Sequence, residues 1–345
     1  MTAPSRVSRA HHAGISPARA QRVNKFPVSD SGPVEVVENG PSIGGRLFSL
    51  AAMLSLRPIL AIGSRAPHLP WPFGLLDFAG RLVRPAPGTV KATIALPNCT
   101  AQLVRAAGVL PADGKRSVIL YLHGGAFIVC GTHSHAGIVA SLSEYADSPV
   151  LAVDYRMLPK HSVGDALDDC YDAYHWLRLT GYEPDQIVLA GDSAGGYLAL
   201  ALAERLLDEG ENPAALVTMS PLFEIDNDTR ANHPNIHRDA MFPAKAFDAL
   251  IDLVETAAKR SGEDVYEPLD HIEPGLPRTL IHVSGAEALI SDARKAAHML
   301  AAAGIPVEVH VWPGQLHVFQ IAGSHAPEAK RSLRQIGAYI REATW

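Results

Sequence analysis

Cysteine is scarce in this 345-residue chain: only Cys99, Cys130 and Cys170 are present. Three thiols cannot all pair within one chain, and none forms a C-x-x-C spacing. That argues against a disulfide framework or a cysteine-rich zinc site and reads as reduced thiols in an intracellular protein. Positive charge is also short, with 30 Lys and Arg against 36 Asp and Glu, a formal −6. No basic run is long enough to track a phosphate backbone, so nucleic acid is not an expected partner. No H-E-x-x-H occurs, and His133 and His135 sit close together in a loop without evident partners, so no metal is expected. No G-x-G-x-x-G follows a strand, which removes a dinucleotide; no cofactor of any kind is expected.

Long apolar runs are missing too. Arg6, Arg9, Arg19, Arg22 and Lys25 are followed by no apolar segment within signal-peptide range, so no signal peptide is evident and a cytoplasmic location is expected. Residues 47–62, LFSLAAMLSLRPILAI, are the most apolar stretch. They fall short of the roughly 20 residues of a membrane span, and Arg57-Pro58 interrupts them. Helices packed on a neighbouring domain are the simpler reading, and peripheral contact with a lipid surface is the alternative. Trp71, Phe73, Leu75, Leu76 and Phe78 follow, able to line a pocket or fill a core.

What remains is 47% hydrophobic residues, enough for one large core with an insert. Residues 1–40 are rich in Ser, Pro, Ala and charge without periodicity and read as a loose arm. Beyond about residue 88 the pattern changes to short Val/Ile/Leu-rich runs, beginning at Ser117, Pro149, Ile187, Ala215, Thr279 and Val307, alternating with helical stretches. This is the signature of a mostly parallel sheet covered on both faces. Residues 222–275 break the rhythm and read in part as an insertion above the sheet. There are no internal repeats.

G-x-S-x-G occurs twice, as Gly40-Pro41-Ser42-Ile43-Gly44 and as Gly191-Asp192-Ser193-Ala194-Gly195. A nucleophile elbow needs a buried strand before it and a helix after it, so that the hydroxyl is lifted to the edge of the sheet. Ser193 has both, in Ile187-Val188-Leu189-Ala190 and in the helical residues 195–207. Ser42 precedes every parallel strand and reads as a helix N-cap or turn residue. Upstream, Tyr121-Leu122-His123-Gly124-Gly125-Ala126-Phe127 ends another strand. Backbone N–H groups of Gly124 and Gly125, joined by that of Ala194, are the candidates for holding an oxyanion. His123 is assigned to shaping that loop.

A serine nucleophile needs an imidazole to take its proton and a carboxylate to orient the imidazole, in the chain order Ser, acid, His. His317 lies on the loop after the last strand and can reach back over the strand ends. His282 and His310, within strands, read as structural. The acid belongs on the loop after the preceding strand, where Glu287 and Asp292 compete. Glu287, immediately beyond the strand, is preferred, because Asp292 begins a helix and is accounted for as its N-cap.

Taken together, His123-Gly124-Gly125, Asp154-Tyr155-Arg156 with Pro159 and His161, Gly191 to Gly196, and His317-Val318-Phe319 resemble the hormone-sensitive-lipase-like family of bacterial esterases and lipases. The resemblance spans residues 117–319. It implies an α/β fold of the α/β-hydrolase type, a mostly parallel central sheet flanked by helices with a mainly helical cap. Residues 41–87 would form the N-terminal part of the cap, and residues 88–345 the catalytic domain with a cap insertion around 222–260. It also implies hydrolysis of short to medium acyl esters without a cofactor, a small acyl-ester substrate being the expected partner. Two departures stand out: Ala126 replaces a common third glycine, and Glu287-Ala288-Leu289 replaces a common Asp-Pro-Leu.

An amidase or deacetylase would use the same triad, and a ligand-binding relative without chemistry would keep the pocket; intact Ser193 and His317 weigh against the latter. Epoxide or haloalkane hydrolysis would need a carboxylate at the elbow. Oligomeric state is not legible in the sequence.

Overall fold

A computed structural model describes residues 32–69, 77–78, 80 and 86–344. Nine strands form one sheet: β1 (Val34–Val37), β2 (Val90–Ala95), β3 (Thr100–Arg105), β4 (Val118–Leu122), β5 (Val150–Asp154), β6 (Ile187–Asp192), β7 (Ala215–Met219), β8 (Thr279–Ser284) and β9 (Val307–Trp312). Their order is β1-β9-β8-β7-β6-β4-β5-β3-β2. β3 runs antiparallel to both β2 and β5, and the other pairings are parallel.

Strands β4, β6 and β7 are buried along their whole length, which is why their sequences are continuous apolar runs. Alternate residues serve opposite faces. Val118, Leu120 and Leu122 of β4 enter the larger core cluster, while Ile119 and Tyr121 enter the smaller one. Helices α2 (Ala136–Ala146) and α8 (Pro327–Thr344) cover the second face; α3 (Val163–Leu179), α4 (Ala194–Asp208) and α7 (Ile290–Ala302) cover the first. The end of β5 is tied to α3 by Arg156, whose backbone N–H and Nε both donate to Asp169, at 2.8 and 3.0 Å. Its Nη1 reaches Asp165 at 2.7 Å.

Three expectations need correction. The arm does not extend to residue 40: Val34–Val37 adds to the sheet edge by pairing with β9, and residues 1–31 lie outside the described residues, as do Trp71, Phe73, Leu75 and Leu76. Pro58 does not break the apolar stretch, because α1 (Ile43–Gly63) runs through it, and Ser42 caps the helix by accepting the Gly45 N–H. Nor is α1 packed inward on a neighbouring domain: its only buried residues are Gly45 and Ala52.

The insertion carries α5 (Asp228–Ala231) and α6 (Ala244–Ser261). Arg230 of α5 is buried and donates to Asp292 of α7 at 2.7 Å and to the carbonyls of Glu224 and Ile225. Asp292 is therefore no N-cap, a position held by Leu289; it accepts from Arg230 and from the Phe223 and Glu224 amides. Burial pushes its carboxyl up to about 6, against the opposing pull of Arg230. Removing one partner of such a pair strands the other without solvent. Arg230→Met is expected to cost about 3 kcal/mol of unfolding free energy at alkaline pH, and less at acidic pH where Asp292 takes up a proton, as read by urea unfolding.

Candidate active site

Ser193 sits between β6 and α4 at φ 51°, ψ −121°, a conformation that costs a side-chain-bearing residue about 1–3 kcal/mol. The turn is clamped on both sides: the Ser193 N–H donates to the Met219 carbonyl at 2.9 Å, and its own carbonyl accepts from Leu222 at 3.1 Å. The flanking glycines are steric necessities. A Cβ at Gly191 would fall on the Gly195 carbonyl, and one at Gly195 on the Leu122 carbonyl.

Asp192, buried beside Ser193, organises the loop after β4. Its Oδ1 accepts from the Tyr121 hydroxyl at 2.5 Å and from the Gly124 N–H at 3.0 Å; its Oδ2 accepts from His135 Nε2 at 3.2 Å. Burial alone would raise the Asp192 pKa, but His135 and the Tyr121 hydrogen bond hold it below the ordinary value. For His135 burial again opposes, and Asp192 prevails, raising it. His123 is lowered to about 4 by burial and by the neighbouring His135. It stacks on Tyr155 at 4.3 Å between centroids, and the Tyr155 hydroxyl donates to the His123 carbonyl at 2.6 Å.

This geometry corrects the sequence reading of Gly124: its N–H is already committed to Asp192 and is not free for an oxyanion. The next two residues, Gly125 and Ala126, stand at φ 118° and 55°, and neither N–H has a hydrogen-bond acceptor among the described residues. Ala126 stands where the resemblance implies a third glycine, and its N–H, unlike that of Gly124, is unengaged among the described residues. The reading of His133 and His135 as lacking partners is corrected too. His133 pairs with Asp77 at 3.0 Å, and His135 with Asp192. Among the described residues no group of three or more His, Cys, Asp or Glu could hold a metal ion. All three cysteines are free, and burial with nearby Asp192 pushes the Cys130 thiol up to about 12.

On the far side, Glu287 follows β8 and His317 follows β9. His317 Nδ1 lies 2.5 Å from Glu287 Oε2, and Glu287 Oε1 accepts from the Ser284 N–H at 2.7 Å. Burial works against the imidazolium, yet His317 is raised above its ordinary value because Glu287 faces it, with Asp239 and Asp192 adding to the field. The ring of Phe242 meets His317 edge-on at 4.8 Å. Val318, at φ 47°, sends its N–H to Ser220 Oγ at 3.1 Å. Ser220, also at φ 47°, donates its N–H to the His282 carbonyl at 2.7 Å. The His317 loop is thereby fastened to the end of β7, the strand whose Met219 carbonyl holds Ser193.

Sequence reasoning missed Asn235, Asp239, Phe242 and Ser220. Asn235 Nδ2 donates to the carbonyls of Gly285 and Glu287, each at 3.0 Å. Asp239 accepts from Ala288, Met241 and Phe242. No local motif marks these residues; only the Ser-Pro after β7 hinted at a turn.

A profile of the alpha/beta hydrolase fold matches residues 119–321. The chain belongs to the α/β-hydrolase family and, within it, to the hormone-sensitive-lipase-like esterases. It is 64% identical over 296 residues to the esterase LipU of Mycobacterium tuberculosis, covering 84% of this chain and 100% of LipU. It is 59% identical over 320 residues to the carboxylesterase/phospholipase LipF of the same organism, covering 91% and 86%. Among solved structures, an esterase from the bacterial hormone-sensitive lipase family superposes with a TM-score of 0.71 at 26% identity, over 84% of this chain and 97% of that one. A mutant of esterase E40 superposes with a TM-score of 0.74 at 27% identity, over 86% and 98%. The protein is a carboxylic ester hydrolase.

Because a methyl group at Gly195 collides with backbone, which cannot swing aside, Gly195→Ala is expected to lower stability by about 3 kcal/mol or more, seen as a fall in the denaturation midpoint.

Proposed function

We propose that the enzyme cleaves esters of short to medium acyl chains through an acyl-enzyme on Ser193. His317 acts as general base and then acid, Glu287 is its orienting carboxylate, and the N–H groups of Gly125, Ala126 and Ala194 form the oxyanion hole. The observation that carries this reading is the 2.5 Å contact between His317 Nδ1 and Glu287. It fixes the Nδ1–H tautomer, leaving Nε2 with the lone pair that a base needs.

In the first half-reaction Ser193 Oγ bonds to the ester carbonyl carbon while its proton passes to His317 Nε2. The carbonyl oxygen becomes an oxyanion facing the three N–H groups, each worth about 3 kcal/mol in the transition state. Collapse breaks the bond to the alcohol oxygen, which takes the proton from His317. Water then repeats the sequence on the acyl-enzyme, giving the acid and free Ser193. Glu287 stabilises the imidazolium formed in each half and does not itself take the proton. Asp192 acts one step removed: by occupying the Gly124 N–H it sets the loop that presents Gly125 and Ala126. Residues 41–87 and 222–260 are assigned to the cap, which contributes Phe242 against the His317 ring.

Ser193→Ala is expected to lower turnover of p-nitrophenyl butyrate by at least about 10³-fold with an unchanged unfolding midpoint. An active variant refutes the scheme, and an acyl-ester series run beside one anilide measures chain-length and ester-over-amide preference.

His317 must be neutral to accept a proton, and its pKa is raised. The acidic limb of kcat/KM should therefore have its midpoint above the ordinary imidazole value of about 6.5. Glu287→Gln removes what offsets burial, so it should shift that limb to lower pH and cut kcat by about 10³–10⁴-fold. Asp292→Asn should leave the limb in place and lose stability instead; the opposite ranking would move the acid to Asp292.

A further inference from the structure

Helix α4 ends in an arrangement that the fold does not account for. Glu204 and Asp208 stand at its C-terminal end, where the peptide dipoles already make the helix terminus negative and a carboxylate is unfavourable. Arg205, the basic residue of the last turn, is engaged elsewhere, donating to Asp168 at 2.7 Å and lying over the Tyr171 ring. Residues 266–273 close over the same place. Glu204, Leu207, Asp208, Tyr266, His271 and Glu273 together line a cavity of about 110 Å³.

Glu204 sets the character of this cavity. It is only 5% exposed. Its Oε2 accepts from the Tyr266 hydroxyl at 2.9 Å, whereas its Oε1 is buried without a hydrogen-bond partner among the described residues. Burial, against the Tyr266 hydrogen bond and helped by Asp208, pushes the carboxyl up to about 8. The side chains of Asp208 and Glu273 have neither an ion pair nor a hydrogen bond among the described residues. An unpartnered acceptor beside two uncompensated carboxylates suits a cation that can donate hydrogen bonds. A point ion fits poorly, because no group of three His, Cys, Asp or Glu among the described residues could hold a metal. An ammonium group brings three donors to three carboxylates. The Tyr266 ring, stacked on His271 at 4.5 Å between centroids, adds an aromatic face that attracts a cation.

We propose that this cavity is a binding site for a primary alkylammonium group, which donates to Glu204 Oε1 and to the Asp208 and Glu273 carboxylates. Glu204 stands eleven residues beyond Ser193 on α4, about 16 Å along the helix axis. The site therefore takes part in neither half-reaction, and the proposal does not rest on the catalytic reading above.

The test is isothermal titration calorimetry of the full chain with butylammonium chloride as the probe. Cation and proton compete for Glu204, which Tyr266, Asp208, His271 and Glu273 face. Binding should therefore release about one proton at pH 7, read from buffers of different ionisation heat, and tighten about tenfold from pH 7 to pH 9. Glu204→Gln keeps an acceptor for the Tyr266 hydroxyl. It should weaken binding at pH 9 about tenfold or more and abolish the proton release, while unchanged turnover of a soluble p-nitrophenyl ester reports that it folds. Tetramethylammonium, which has the charge without an N–H, should bind at least about tenfold more weakly than butylammonium. Absence of saturable butylammonium binding at pH 9 overturns the proposal, as does undiminished binding by Glu204→Gln. Equal binding of tetramethylammonium or of potassium overturns it as well, because the cavity would then select for charge alone.

Discussion

Asp192 places a carboxylate in the buried interior, and donors from separate parts of the chain converge on it: the Tyr121 hydroxyl from β4, the Gly124 N–H from the loop beyond, and His135 from the start of α2. Burying a carboxylate is costly unless it is paired and hydrogen-bonded. Here the partners form the underside of the loop that carries Gly125 and Ala126, and the carboxylate itself is one residue from Ser193. The same electrostatic debt therefore joins the proposed nucleophile to the proposed oxyanion donors. Burial, with His135 beside it, holds the His123 pKa down to about 4, while Asp192 raises that of His135.

Backbone strain collects at the same end of the sheet. Ala126, Phe127, Cys130, Ser193, Ser220 and Val318 all have positive φ, each a cost of about 1–3 kcal/mol for a residue with a side chain. Val318 is the least tolerant, being β-branched. Such conformations persist only when their surroundings leave no alternative. The fully buried strands β4, β6 and β7 supply that rigidity, and hydrogen bonds such as that from the Val318 N–H to Ser220 Oγ pin the loops directly.

The central strands were legible because burial on both faces writes itself as uninterrupted Val, Ile and Leu, and Ser193 because glycines at both flanks are the direct imprint of backbone collisions. The nearness of Glu287 to His317 follows from its place just past β8 and that of His317 just past β9. The outer strands β1, β2 and β3 were not singled out, since their mixed, half-exposed sequences lack that imprint. Asp292 looked like a cap because its partner Arg230 lies 62 residues away in the insertion. Gly124 was misjudged for a related reason: glycine pairs announce a close backbone approach but do not say which amide is already engaged, and that is decided by a side chain 68 residues on. The exposure of α1 was beyond composition, because an apolar helix reads alike whether or not something covers it.

The insertion is tied into the residues around Glu287 and His317. Asn235 and Asp239 hold the backbone around Glu287 through the Gly285 and Glu287 carbonyls and the Ala288 amide, and Asp239 also fixes the turn that delivers Phe242 to the His317 ring. The segment assigned to the proposed cap thus also contributes, through Asp239, to the field that raises the His317 pKa. Substrate range and acid tolerance are, in this architecture, coupled traits. On the proposed reading, a lineage that reshapes this segment for a bulkier ester would also reset the acidity at which the enzyme begins to work.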